Sequence, residues 1–214
     1  VVVDSKDALR GELERLAASR GDLFLKPSCG KQGRGAYRYT KEGRAHDANG
    51  HEVALRDLVD RVFAYRHPSG AFGYVVQSAL DAHPDIFDIT GVPVLSTVRI
   101  VTAVRDGRTH ILQALFKVPA PGRLTDNFQG GVTGSTIAGV DPESGRLLDL
   151  VGILRPGNRY VCERTENHPV TGRRVAGREV PRWNEALELA RRAALLQPRT
   201  ATLGWDIGLA PSGW

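Results

Sequence analysis

A glycine-rich loop at residues 28–35 constrains this chain most, because it lies between two short β-rich runs. The first run, residues 23–25, leads into Lys26 and a proline, and the second resumes at residue 36. A phosphate-binding loop of the Walker or dinucleotide type would open a helix instead. A lysine that leaves a strand, followed by glycines that admit backbone N–H groups, can hold a polyphosphate. An ordinary glycine-rich hairpin is the alternative.

Composition predicts a soluble globular protein. The 214 residues are 41% hydrophobic and 25% charged, which excludes a disordered chain. No apolar run approaches the roughly 20 residues of a membrane-spanning helix. Two cysteines cannot build a disulfide framework, so we expect a reducing, cytoplasmic location. Since methionine is absent, also at position 1, we expect the numbering to begin inside a longer polypeptide.

Periodicity predicts a mixed α and β chain. Apolar spacing favours helices at residues 5–20, 53–63 and from Trp183 onward. Two β-rich runs, residues 94–104 and 109–118, are joined by Asp106-Gly107, a strong hairpin signal. We expect Arg99 to share a face with Val101, and Lys117 to share a face with Ile111, Gln113 and Leu115. Residues 155–181 are expected to be irregular, and 202–209 to form a strand.

Several polar side chains are candidates for chemistry. Gln77 ends an apolar strand and could read a purine edge, or it is a solvated strand end. Arg99 and Lys117 could neutralise charge on a transferred phosphoryl group, although single cations at a sheet edge are often surface residues. Asn127 could bind a phosphate oxygen or form a turn. Asp206 stands between Trp205 and Ile207 on an apolar strand, where we expect a buried acid. Since an unpaired carboxylate in a strand core is costly, we expect a cation or hydrogen-bond donors near it.

The order of these motifs resembles the ATP-grasp superfamily, and most closely its sugar-transfer associated group. The resemblance covers the chain from about residue 20 to the end. It rests on six ordered segments and two later stretches, His168-Pro169-Val170-Thr171-Gly172 and Val180-Pro181-Arg182-Trp183. The six segments are Phe24-Leu25-Lys26-Pro27, the glycine loop through Gly35, Val75-Val76-Gln77, Thr97-Val98-Arg99-Ile100, Asp126 to Gly131, and Gly204-Trp205-Asp206-Ile207.

The resemblance implies an α+β fold of two lobes whose antiparallel sheets clasp ATP between them. We expect a small lobe at residues 1–80 and a larger one at 81–214. Lys26 would bind the α and β phosphates, and the loop Gly30, Lys31, Gly33 and Gly35 would close over the triphosphate. Gln77, Ser78 and Leu80 would form the adenine hinge, with His83 or Asp85 near the ribose. Arg99 and Asn127 would face the γ-phosphate and the acyl-phosphate intermediate, and Asp206 would hold Mg²⁺. Lys117 is the further catalytic candidate that the residues themselves suggest.

Similar enzymes follow that aspartate with a Glu-x-Asn element, which the 214 residues do not reach, and the substrate lobe that often comes first is also missing. We therefore expect the numbered chain to be a fragment that is inactive by itself, with the chemistry belonging to the parent protein.

The resemblance predicts an ATP- and magnesium-dependent carboxylate–amine ligase that works through an acyl-phosphate, in polysaccharide biosynthesis as the group's name suggests. Its partners would be a small carboxylate and an amine. A nucleotide-dependent phosphotransferase without ligation is the first alternative. The second is a noncatalytic basic module that binds a polyanion such as nucleic acid, given a net charge of +5. Scattered basic residues make that module the weakest hypothesis.

Overall fold

The computed structural model describes residues 5–30, 32–65, 73–154, 161–197 and 199–214. Two compact units divide the chain. Unit 1 is Val1–Leu80 with Gly122–Thr125, and unit 2 is Asp81–Pro121 with Asp126–Trp214. A short segment of the later sequence therefore returns to unit 1, where the Leu124 N–H donates to the Ala48 carbonyl at 3.2 Å.

Unit 1 is a five-stranded antiparallel sheet in the order β4-β3-β2-β1-β5, with two helices. Its elements are α1 (Lys6–Arg20), β1 (Leu23–Pro27), β2 (Tyr37–Tyr39), β3 (Ala45–Asp47), β4 (Glu52–Val53), α2 (Leu55–Ala64) and β5 (Tyr74–Ser78). The predicted helix at 5–20 is confirmed: Ser5 caps it by accepting from the Ala8 N–H at 3.2 Å, and Gly21 ends it with φ 79°. Both helices pack their apolar stripes on the sheet face that carries Leu23 and Leu25.

Unit 2 is a six-stranded antiparallel sheet in the order β10-β9-β8-β7-β6-β11. Its elements are α3 (Pro84–Thr90), β6 (Thr97–Arg105), β7 (Arg108–Val118), a 3₁₀ turn (Gln129–Gly131), β8 (Thr136–Val140), β9 (Leu147–Leu154), β10 (Val161–Thr165), α4 (Trp183–Leu195) and β11 (Thr202–Gly208). The core lies on one sheet face, where Val98, Ile100 and Phe116 are fully buried beneath α3 and α4. The opposite face is the one that carries the candidate site.

The hairpin of β6 and β7 follows the prediction at its turn and departs from it in the middle. Asp106 and Gly107 both have positive φ, 52° and 70°, as the two central residues of a type I′ turn require. A β-bulge at Leu112 then makes Ile111 pair with Thr102, whereas Gln113 pairs with Val101. Thr102 and Ile111 lie on the core side. The expectation that Ile111 shares a face with Lys117 is therefore wrong.

The stretches expected to be irregular contain regular elements. The strand β10 occupies part of residues 155–181, where its five residues pair with β9. The short helix α3 begins at Pro84, with His83 as its N-cap, and a proline is well suited to the first helical position because that position needs no N–H donor. The strands β3 and β4 are three and two residues long, too short for periodicity to reveal.

The α+β class with two antiparallel sheets is confirmed. In the described ranges the chain forms four α-helices and eleven strands. None of those helices combines the length and apolarity needed to cross a membrane.

Candidate functional site

Three charged side chains form a cluster on the open face of the unit 2 sheet. Asp206 lies on β11, directly opposite Arg99 on β6. Arg99 donates from Nε to Asp206 Oδ1 at 2.9 Å and from Nη2 to Oδ2 at 2.6 Å, a bidentate pair. Lys117 on β7 places Nζ 2.8 Å from Asp206 Oδ1. We call these three residues the ionic cluster.

Strand alternation puts Asp206 on that face. Its neighbours Trp205 and Ile207 pack against the core, and Trp205 Nε1 donates to Thr102 Oγ1 at 2.9 Å. The Asp206 side chain points the other way and keeps 39% of its surface exposed. The expectation of a cation or hydrogen-bond donors near this aspartate is confirmed by two cations, while the expectation that it is a buried acid is wrong.

The contacts within the ionic cluster stabilise the charged forms of Asp206 and Arg99. Partial burial favours the neutral form of Asp206, but the hydrogen bonds and charges of Arg99 and Lys117 outweigh it, so its pKa lies below the ordinary value. The hydrogen bond with Asp206 likewise raises the pKa of Arg99. Two cations and one anion leave a net charge of +1 on an accessible surface, which suits an anionic ligand.

Asp126 is a second carboxylate near the cluster; the sequence placed it in a motif but indicated no function for it. Only 7% of the residue is exposed. Its Oδ2 accepts from the backbone N–H of Thr97 at 2.8 Å and from Thr97 Oγ1 at 2.5 Å. Burial raises its pKa, although the Lys117 charge and the Thr97 hydrogen bonds oppose that shift. Asp126 therefore fixes the first residue of β6, two positions before Arg99.

Asn127 follows in a compact loop. Its carbonyl accepts from Thr133 Oγ1 at 2.7 Å, and the 3₁₀ turn comes next. Gly131 has φ 81°, and a Cβ there would lie 2.4 Å from Ile153 Cβ, so glycine is required for this turn to pack on β9. Because the loop is fixed at Asp126 and at Gly131, Asn127 is held between two anchored points within unit 2.

In unit 1, strand pairing places Lys26 and Gln77 on one face of the sheet. Lys26 pairs with Val75, and Gln77 pairs with Phe24. The two polar side chains are thus diagonal neighbours, about 7–8 Å apart between Cα atoms. Lys26 is exposed and its ammonium makes no ion pair within the described part of the chain. This face therefore combines an exposed ammonium with a side-chain amide and the half-buried ring of Phe24.

The glycine loop follows β1 and connects it to β2. Gln32, Gly33 and Gly35 all have positive φ, at 62°, 69° and 74°. A Cβ on Gly35 would lie 3.1 Å from both Pro27 Cγ and Tyr74 Oη. Tyr65 Oη donates to the Cys29 carbonyl and holds the base of the loop. Gly30 is exposed in the same loop, whereas Lys31 lies outside the described residues.

The remaining candidates lie at element ends. Ser78 is the last residue of β5, and Leu80 is 51% exposed. Asp85 belongs to unit 2, in the first turn of α3, where its N–H donates to His83 Nδ1 at 3.2 Å. These positions carry surface-accessible groups, and nothing in their local geometry assigns them to a ligand.

The donor set fits a magnesium ion that arrives with phosphate rather than a site made by protein alone. Within the described ranges, no three His, Cys, Asp or Glu side chains gather to hold a metal. Mg²⁺ commonly takes one or two carboxylates and completes its octahedron with water and substrate phosphate oxygens. A carboxylate offers about four lone-pair positions, and Asp206 uses three of them on Arg99 and Lys117. One lone-pair position of Asp206 therefore remains for a metal ion.

The comparisons with known proteins give one match. The chain matches the sugar-transfer associated ATP-grasp family over residues 2–213. No curated protein and no solved structure matches it significantly. Since the match spans nearly the whole sequence and agrees with the α+β architecture of two antiparallel sheets, the chain belongs to the sugar-transfer associated ATP-grasp family.

Proposed function

We propose that this protein is an ATP-dependent ligase that joins a carboxylate to an amine in polysaccharide biosynthesis. Family membership suggests an enzyme, and enzymes of this superfamily generally use ATP and Mg²⁺. The observation that carries the proposal is the ionic cluster: Arg99 and Lys117 are held in place by one partly exposed carboxylate. Such a site supplies positive charge and alignment, which phosphoryl transfer demands above all.

In the proposed first step, a substrate carboxylate oxygen attacks the γ-phosphorus of ATP. The bond from the γ-phosphorus to the bridging oxygen breaks, and ADP leaves with the electron pair. In the second step an amine attacks the acyl carbon, orthophosphate leaves, and the nitrogen loses a proton. Arg99 and Lys117 would bind the equatorial phosphoryl oxygens and stabilise the charge that spreads over them. Asn127 would donate its side-chain amide to a phosphate oxygen.

Most of the remaining contacts to the nucleotide are assigned to residues of unit 1. Lys26 would bind the α and β phosphates, and N–H groups of the loop Gly30, Gly33 and Gly35 would approach the triphosphate closely. Gln77, Ser78 and Leu80 would contact adenine, and Asp85 the ribose. Mg²⁺ bound at Asp206 would neutralise phosphate charge. Lys26 is exposed, and its ammonium has no ion pair among the residues that the structure describes, which supports this assignment.

The electrostatics favour a carboxylate acceptor over a hydroxyl acceptor. A kinase needs a base for the hydroxyl proton, but the pKa of Asp206 is lowered by its two cations, so this carboxylate is a weak base. Asp126 is buried against Thr97. A substrate carboxylate is already ionised at neutral pH and requires no base.

Product analysis tests the proposal. The full protein is incubated with Mg-ATP, hydroxylamine as a general amine, and a panel of uronic acids, hydroxy acids and amino acids. We expect ADP, orthophosphate and a hydroxamate in equal amounts with at least one acid. Phosphate that remains on a hydroxyl acceptor would replace the ligase with a phosphotransferase. Absence of Mg-ATP binding in calorimetry would overturn both.

A further inference from the structure

A cavity of about 590 Å³ lies at the β9–β10 edge of the unit 2 sheet. Residues at its rim and floor include Gly139, Arg146, Leu148, Val151 and Arg164. We call it the edge notch. None of the functions assigned above uses it.

The edge notch exists because the backbone of β9 changes its hydrogen-bonding partner along its length. The strand β10 pairs with β9 only as far as Thr165, opposite Leu150. The chain then leaves the sheet and returns at Gly177, whose N–H donates to the Leu147 carbonyl at 2.8 Å. Leu148 and Asp149 lie between these two partners. The gap at this position is therefore part of the hydrogen-bonding pattern of the sheet rather than a side-chain accident.

Charge in the notch favours an anion. Arg174 is paired with Glu166 at 2.9 Å, so these two lining residues neutralise one another. Arg146 and Arg164 remain, against the single carboxylate of Asp149. Neither arginine side chain has an ion-pair or hydrogen-bond partner among the described residues. Two guanidinium groups with planar forks suit a carboxylate or a phosphate group.

The notch and the ionic cluster share one face of the sheet. One cross-strand row runs through Lys117, Ile137, Val151 and Arg164, and a second runs through Arg99, Leu115 and Gly139. The first row spans three strand spacings, about 14 Å. Its middle is apolar and half-buried, at Ile137 and Val151. A molecule lying along it would meet cations at both ends and an apolar floor between them.

We propose that the edge notch binds a second anionic group, a phosphate or a carboxylate, of the acceptor whose reacting carboxylate lies at the ionic cluster. This inference rests on the proposed ligase function and narrows its substrate class. The acceptor is an elongated molecule with an acid at each end. Arg164 and Arg146 bind the distal acid, and Gly139 leaves the floor open because it has no side chain.

Anion titrations followed by NMR test this site. Inorganic phosphate and glutarate are added to the ¹⁵N-labelled full protein at constant ionic strength, and the arginine Nε–H resonances are followed. Arg146→Gln and Arg164→Gln assign the two signals. We expect both to shift in a saturable manner with at least one anion, and Arg164→Gln to weaken that anion at least tenfold. The anion that binds more tightly identifies the distal acid as phosphate or carboxylate.

Two further variants keep the result interpretable. Arg105→Gln is the matched control, because Arg105 is an exposed arginine beside the hairpin turn, paired with its neighbour Asp106; it should leave both titrations unchanged. Gly139→Val narrows the floor, where a Cβ would already lie 3.0 Å from Leu148 Cδ1, and should also weaken binding. The proposal is overturned when Arg164→Gln leaves both affinities unchanged. Calorimetry with Mg-ATP reports separately on the proposed function.

Discussion

The two units present their candidate phosphate-binding cations in different local environments. In unit 1, Lys26 is exposed, and in the described residues no carboxylate pairs with it. In unit 2, Arg99 and Lys117 are both tied to Asp206 at 2.6–2.9 Å. A free lysine contributes affinity as a mobile point charge, whereas paired cations are already oriented before a ligand arrives. We therefore propose that Lys26 contributes to nucleotide affinity and that Arg99 and Lys117 contribute to rate acceleration.

Removing the anchor of the paired cations should have the largest effect. Asp206→Asn takes away the charge that orients Arg99 and Lys117 and the carboxylate proposed for Mg²⁺. We expect kcat/KM to fall about 100- to 1000-fold. Stability should change by at most about 1 kcal/mol, because the pair is partly exposed.

Asp88→Asn is the matched control for that loss. Asp88 also bridges two arginines, Arg178 at 2.6 Å and Arg173 at 3.5 Å, but it lies on α3. Steady-state kinetics and thermal unfolding of both variants separate orientation at the cluster from the general loss of an ion pair. Equal losses of activity in the two variants would contradict the assigned function of the cluster.

Lys26→Ala should have the next largest effect, and on affinity rather than rate. Loss of one phosphate contact is expected to raise the Kd of Mg-ATP about 10- to 100-fold, measured by calorimetry, with kcat at saturating ATP changed far less. The control is Lys41→Ala, an exposed lysine of the same unit whose ammonium is 4.0 Å from Glu42. A fall in kcat without a change in Kd would remove the distinction between the units.

Local sequence signals predicted those parts of the site whose geometry is set locally. Asp106-Gly107 fixed the β6–β7 hairpin, and strand alternation put Arg99 and Lys117 opposite the buried Val98 and Phe116. The cations expected near Asp206 are present, but their identity depends on the pairing of β11 with β6, more than one hundred residues apart. No local pattern encodes such a pairing.

The missed features have separate physical causes. The bulge at Leu112 reverses which face Ile111 occupies, and a bulge leaves no periodic signal. Asp126 precedes an Asn and two glycines, a composition typical of a turn, so its burial could not be read from the sequence. The edge notch arises from a change of strand partner and has no motif of its own.

Asp126 provides a sharper test of how unit 2 is held rigid. Because its pKa is raised, the folded protein keeps a proton that the unfolded chain has released, and this contribution to stability falls as pH rises from about 4 through the raised pKa. Asp126→Asn imitates the protonated form and does not titrate. In urea unfolding, the loss of unfolding free energy in Asp126→Asn relative to wild type should be larger at pH 5 than at pH 8. Asp126→Ala should cost about 1–3 kcal/mol, since Thr97 loses its acceptor. A stability loss in Asp126→Asn that grows with pH would contradict the conclusion that burial raises the pKa of Asp126.

The smallest expected effect concerns the support of the glycine loop in unit 1. Burial, with the nearby Tyr37 and Tyr65 rings, raises the pKa of Tyr74 to about 12, so its contribution to stability is complete below pH 10 and is lost as pH rises toward 12. Absorbance titration at high pH should show a late phenolate component that disappears in Tyr74→Phe. Tyr74 Oη lies where a Cβ on Gly35 would approach to 3.1 Å, so this fixed ring limits how the loop can move. A late component that persists in Tyr74→Phe would belong to another ring. In that case the Tyr74 ring would not be a rigid support for the glycine loop of unit 1. The difference in rigidity between this loop and the ion-paired cations of unit 2 would then be larger.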